Sequence, residues 1–336
     1  MYWLSGRRAY VIEAGRDFMN HKLTRREFLP VAGAAFTAAC GSSKQPAAFK
    51  GQSAVAIVKA ASYSVDLVSR IHEGIRALKL DVRGKSVLLK PNLVEFDRST
   101  SINTDVSVIA AAYDVFRGLG AASVVIGEGP GHRRDTIGLS EEAGYREGIE
   151  KFEDRFVDLN RDDVSKVKGF GGSIYLPDTA LGADLIVSLA KMKTHHWAGA
   201  TLSMKNFFGM VPGSVYGWPK NELHYYGIPK AIVELNRIFR KTFAIVDGIT
   251  GMEGNGPIQG TPKACGVLVM GSDLVAVDTT CCRIMGITPE KIEYLRMAAD
   301  LGAIDAKRIE QRGEGVESVR TNFKLIKEFE NLRLAS

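Results

Sequence analysis

Six short apolar runs recur along the chain: "SAVAIVK" from Ser53, "SVLLK" from Ser86, "ASVVIGE" from Ala122, "ADLIVSLA" from Ala183, "TFAIVDG" from Thr242 and "CGVLVMG" from Cys265. Strands with one solvated face alternate apolar and polar residues; near-continuous apolar runs suit strands covered on both faces. Between the runs lie helical patterns over residues 64–79, 105–118, 229–240, 273–285 and 289–301. The alternation predicts an α/β fold, layered, with a mostly parallel sheet and helices on both faces.

In such sheets the ligand crevice lies beyond the carboxyl ends of the strands. Polar residues gather at four of those ends. Lys90 and Asn92 follow "SVLL"; Glu128 and His132 follow "SVVI"; Lys191, Lys193, His195, Lys205 and Asn206 follow "DLIVSLA"; Asp247 follows "FAIV". One lysine is most simply a solvated loop residue. Three in a row of fifteen positions, with Lys90 on another strand end, favour a site for phosphate or carboxylate. As rim residues, they are expected to be removable without harm to the fold.

His195 and His196 are adjacent, so an extended backbone sends them to opposite sides and lets only one face the rim. Either suits acid/base work near neutral pH, or a plain hydrogen-bonded packing role. Glu128 and Asp247 suit cation binding or proton abstraction, although Asp247 before Gly248 also reads as a turn residue. Asp278, in a helical run, either reaches the site or caps a neighbouring loop. Residues 212–227, "PGSVYGWPKNELHYYG", read as a long loop that could cover the rim.

The N-terminal region reads as targeting rather than fold. Thr24 to Leu29 has the twin-arginine export pattern, with Arg25 and Arg26, ahead of a short apolar stretch from Val31 to Ala39. That stretch falls well short of the roughly 20 residues that span a bilayer. Thr37 to Cys40 resembles a lipoprotein box, with Cys40 as the lipidated residue, and cleavage near Ala39 is the alternative. Met19 is a second candidate start. Residues 1–40 are thus expected to be a signal segment, 41–52 a flexible tether, and 53–336 a single α/β domain with a loop insertion around 212–227. The expected partners are the twin-arginine translocase, a small anionic molecule, and a membrane only through a lipid anchor.

The chain has 44 Lys and Arg against 38 Asp and Glu, of which residues 1–40 hold six bases and three acids. The remaining balance of 38 to 35 is too even for a nucleic-acid partner. Cys265, Cys281 and Cys282 form no C-x-x-C, so a zinc ribbon or iron–sulfur cluster lacks its ligands. They read as core thiols, with a disulfide to Cys265 open.

The motifs "KPNLVEF", "GEGPGHRR", "ADLIVSLAKMKTHHWAGATLSMKNFFGMVPG", "VDGITGMEGNGP" and "LVAVDTTCCRIMG", in that order over about residues 53–302, resemble the domain of unknown function 362 family. The resemblance implies an α/β domain and no settled reaction. Residues 183–212 also resemble one segment of the nickel-pincer lactate racemase family. That likeness implies proton transfer by His195, with His132 near the second such histidine, and a covalent cofactor link at Lys205. The glycine pair that precedes the lysine there is Ser203 and Met204 here, and the nickel-binding histidine has no clear counterpart. The cofactor is left open, metal or organometallic. Together these readings point to an exported enzyme that does acid/base or hydride chemistry on a small anion; the alternative is a non-catalytic anion- or solute-binding lipoprotein.

Overall fold

The computed structural model describes residues 48–335, so the expected signal segment and Cys40 lie outside the described residues. Eleven strands are seen there: β1 (Ser53–Lys59), β2 (Ser86–Pro91), β3 (Ser123–Glu128), β4 (Phe156–Asp158), β5 (Val164–Gly169), β6 (Gly172–Pro177), β7 (Leu185–His195), β8 (Gly199–Thr201), β9 (Thr242–Glu253), β10 (Thr261–Gly271) and β11 (Ile309–Gly313). Nine form one sheet in the order β11-β1-β10-β9-β7-β2-β3-β4, with β8 paired to β7; β5 and β6 form a separate hairpin. The sheet is mostly parallel. Only β10, antiparallel to β1 and β9, and the short β8 break the pattern.

Period-two alternation sends the strand residues to two cores. Val87, Leu89, Leu185, Val187, Leu189, Phe243 and Ile245 pack beneath the helices Leu67–Leu78 and Val106–Gly118. Val55, Ile57, Leu88, Ile186, Ala190, Ala244 and Val246 meet the helices Ile228–Ile238 and Leu274–Ile284 on the other face. Aspartates start three of these helices, with Asp66, Asp105 and Asp273 accepting from the amides of Ser69, Ser107 and Ala276. Cys281 and Cys282 lie buried on the last helix, and all three described cysteines are free thiols.

Four details differ from the sequence reading. The strand after Asp184 does not stop at Ala190 but runs on to His195, because β9 and β8 both pair with its second half. Residues 212–227 are not an open loop: they hold the short helices Gly213–Tyr216 and Asn221–Tyr226. The helical pattern at 289–301 shrinks to a 3-10 turn and the helix Glu293–Met297. β4, β5, β6, β8 and β11 are short or polar, and carry too little hydrophobic pattern to be read in advance.

Candidate functional site

Beyond the ends of β2, β3 and β7 lies a cavity of about 570 Å³. Its lining includes Lys90, Asn92, Glu128, Lys193, Lys205 and Asn206, together with four histidines, 132, 195, 196 and 224. Most sequence-derived candidates therefore meet in one place. Lys191 and Asp247 do not.

Those two are neighbours on β7 and β9, in direct register, and both side chains share a face with Leu189 and Ile245. Lys191 Nζ donates to Asp247 Oδ2 at 2.9 Å and to Tyr63 Oη at 2.8 Å. Asp247 also accepts from Tyr63 Oη and from the amides of Asp105 and Ile249. The carboxylate is fully buried and the amine nearly so. The Asp247 carboxylate ties the sheet to the start of the Val106–Gly118 helix through the Asp105 amide, and Lys191 and Tyr63 line a second cavity of about 310 Å³. Burial beside Asp247 holds the Tyr63 hydroxyl far above its usual pKa.

Burial also corrects the picture of solvated rim lysines. The strand carries Lys191 and Lys193 inside, and Lys90 on β2 is equally covered. Lys90 Nζ donates to Glu128 Oε2 at 2.6 Å, to the Pro91 carbonyl at 2.8 Å and to Asn206 Oδ1 at 3.2 Å. Glu128 takes two more hydrogen bonds from the amides of Leu93 and Gly129. Asn206 Nδ2 donates to the Lys90 carbonyl and to Ser188 Oγ, locking the 3-10 helix Lys205–Met210 to the sheet. Gly209 approaches this pair so closely that a Cβ would overlap Glu128 Oε1 and Lys90 Nζ. Gly209→Ala should therefore cost about 1–3 kcal/mol in urea unfolding; an alanine variant as stable as wild type would show that the pair has room to move.

The remaining amines have no carboxylate. Lys193 Nζ donates to the carbonyls of Ile102 and Pro257, and Lys220 Nζ to that of Gly129 at 2.6 Å. Half-buried Lys205 lies over the Phe208 ring at 4.3 Å. Desolvation, with Lys205 and Lys191 nearby, drives Lys193 well below its ordinary pKa. Desolvation also takes Lys205 down to about 8 and Lys220 to about 7. Lys220 and His224 come from the segment read as a loop. Its placement over the rim was the only sign of them in the sequence.

His195 ends β7, and the chain then turns through His196 and Trp197 to Gly199, whose φ of 79° completes the turn. The alternation stops there, so both histidines line the cavity, with rings stacked 5.1 Å apart. His195 Nδ1 accepts from the amides of Trp197 and Ala198 at 3.0 and 3.2 Å. That fixes the neutral tautomer with its proton on Nε2. Burial and the Lys205 charge push its pKa down. With Nδ1 taken by those two amides, Nε2 is the ring nitrogen that carries a proton in the neutral imidazole of this cavity-lining residue. His132 is exposed at the edge.

Asp278 resolves as a cap and does not reach the cavity. It accepts from Ser203 N and Oγ, Met204 N and Tyr294 Oη, and so shapes the turn that delivers Lys205 and Asn206. Two lining atoms, Asn92 Oδ1 and Thr201 Oγ1, are buried without a hydrogen-bond partner among the described residues. Among those residues, no group of three His, Cys, Asp or Glu side chains is placed to hold a metal ion.

The fold and site together define a layered α/β protein with a cation-rich cavity beyond its strand ends. The family described as Domain of unknown function (DUF362) matches residues 87–283, and the chain belongs to that family. It is 28% identical over 224 residues to the thylakoid-associated protein sll1697 of Synechocystis sp. (strain ATCC 27184 / PCC 6803 / Kazusa), covering 65% of this chain and 68% of that protein. A solved protein from Thermotoga maritima aligns with a TM-score of 0.42 and 17% identity, over 64% of this chain and 58% of that one. The lactate racemase apoprotein from Thermoanaerobacterium thermosaccharolyticum aligns with a TM-score of 0.44 and 15% identity, over 71% and 57%. The chain spans less than two thirds of either structure, and at these scores neither likeness bears on function.

Proposed function

We propose that the cavity binds a small carboxylate or phosphate and performs acid/base chemistry on it. The observation that carries this reading is the charge imbalance: four lysines and one carboxylate, Glu128, line the cavity, and that carboxylate is already paired with Lys90. The buried, carbonyl-held amines of Lys193 and Lys220 are repelled by neighbouring lysines, Lys205 and Lys191 for the first and Lys90 for the second, and an anion among them relieves both the repulsion and the desolvation. Asn92 Oδ1, an acceptor without a donor, favours a ligand that also carries a hydroxyl or N–H. Lys205 and Lys220, at about 8 and 7, are poised to take up and release protons near neutrality, while His195 Nε2–H supports a ligand oxygen.

Binding should draw protons from solution. The anion raises both pKa values, so affinity is highest below about pH 7 and falls as pH rises through 7 and 8 into the bound-state pKa values. Calorimetry with phosphate and with small carboxylates, in two buffers of different ionisation enthalpy, reads the proton uptake directly. Lys205→Met should weaken binding roughly ten- to a hundredfold, the loss of one charge-assisted hydrogen bond. Affinity independent of pH between 6 and 9, and unchanged in Lys205→Met, would overturn the reading. We propose further that the chain is exported by the twin-arginine translocase and anchored through Cys40. That part rests on residues 24–40 alone.

A further inference from the structure

We infer that the ligand joins its anionic group to a flat aromatic ring, and that this ring rests against Trp197 at the cavity mouth. The inference deepens the anion-binding reading and depends on it.

Three observations carry it. Trp197 is 64% exposed, although His195 and Ala198 in the same turn are buried. A tight turn between two paired strands, β7 and β8, presents this indole outward without covering it. Its neighbours are rings: His196 stands edge-on at 4.5 Å and His224 at 5.8 Å, and His224 is itself edge-on to Phe208 at 6.4 Å. Trp197, His196 and His132 also form the wall shared with an outer compartment of about 610 Å³.

The lysines and the rings therefore divide the labour by position. The fully buried amines of Lys90 and Lys193 stand at the strand ends, where an oxyanion is stabilised. The aromatic edges and the open indole occupy the mouth, where water would otherwise cover an apolar surface. At about 570 Å³ the inner cavity alone falls in the roughly 300–1,000 Å³ range of sites that enclose whole cofactors and drug-sized ligands. An isolated phosphate would leave the mouth wet and the indole exposed. A planar ring attached to the anion would cover the indole in an offset or edge-on arrangement, the geometries aromatic pairs prefer.

The test uses two matched pairs on the full chain: phenyl against cyclohexyl phosphate, and benzoate against cyclohexanecarboxylate, with inorganic phosphate as the reference. Calorimetry gives the affinities, and quenching of tryptophan fluorescence reports contact. The aromatic member of at least one pair should bind about tenfold tighter than its saturated partner. Trp197→Leu should erase that ratio while leaving inorganic phosphate affinity unchanged, and Trp197→Phe should keep most of it. Trp197 is exposed, so these variants fold. Equal affinity within both pairs, with phosphate still binding, would overturn the ring and leave the anion site standing. A ratio that survives in Trp197→Leu would overturn the assignment to this wall. If none of the five compounds binds, the anion reading itself fails.

Discussion

Lys191→Met should lower the free energy of unfolding by about 3–5 kcal/mol, because it strands the Asp247 carboxylate in the core. Asp247 is fully buried, and its other donors are Tyr63 Oη and two backbone amides. Those hydrogen bonds offset part of the desolvation of the carboxylate, but they bring no formal positive charge. Adding Asp247→Asn to the variant should recover part of the loss, since the amide oxygen still accepts while the unpaired charge is gone. Urea denaturation of wild type, the single variant and the double variant gives the comparison. A loss below about 1 kcal/mol, the usual worth of an exposed ion pair, would place the Lys191 amine in solvent after all.

Asp278→Asn should remove a pH dependence of stability that spans roughly pH 4 to 7. Burial pushes the Asp278 carboxyl up from 3.8 to about 7, against four donors that favour its charged form. The folded pKa lies above the unfolded one. Between the two values the unfolded chain has lost a proton that the folded chain keeps, so rising pH favours unfolding until the folded carboxyl ionises. A shift of this size corresponds to about 4 kcal/mol across the window, at 1.36 kcal/mol for each pH unit. Unfolding of wild type and Asp278→Asn should be followed at intervals across that window. The difference between the two slopes isolates this group from other carboxylates; parallel slopes would mean that Asp278 stays ionised throughout. The same carboxyl orients the turn before Lys205, so its titration also bears on how firmly that amine is presented.

These results follow from placements that the sequence disclosed unevenly. The strand runs and the four long helices were legible because each carries its own period over enough residues to be distinctive. The meeting of Lys90, Asn92, Glu128, Lys193, Lys205 and Asn206 was legible too, as residues that follow strands of one parallel sheet end up on one rim. Lys220 and His224 were not, since nothing local to "WPKNELH" marks the two short helices that fold it over the cavity. Nor was the burial of the lysines. A polar residue after an apolar run reads as a strand end, and only the pairing of β8 and β9 against the second half of β7 extends the ladder through Lys191 and Lys193.

The role of each polar group was settled at the same level. Whether Asp247 meets a cation, a substrate or a turn depends on which neighbour lies opposite in the register, and that neighbour is Lys191, 56 residues away along the chain. His195 was visible as an imidazole near the site, but its tautomer is set by two amides of a turn that exists only because β8 folds back on β7. The sequence by itself determined the layers, the main strands along the chain and the rim on which chemistry collects, since hydrophobic period is a local property. Tertiary structure alone decided which charges are paired and which are left facing the cavity, because pairing and desolvation depend on groups brought together from distant parts of the chain.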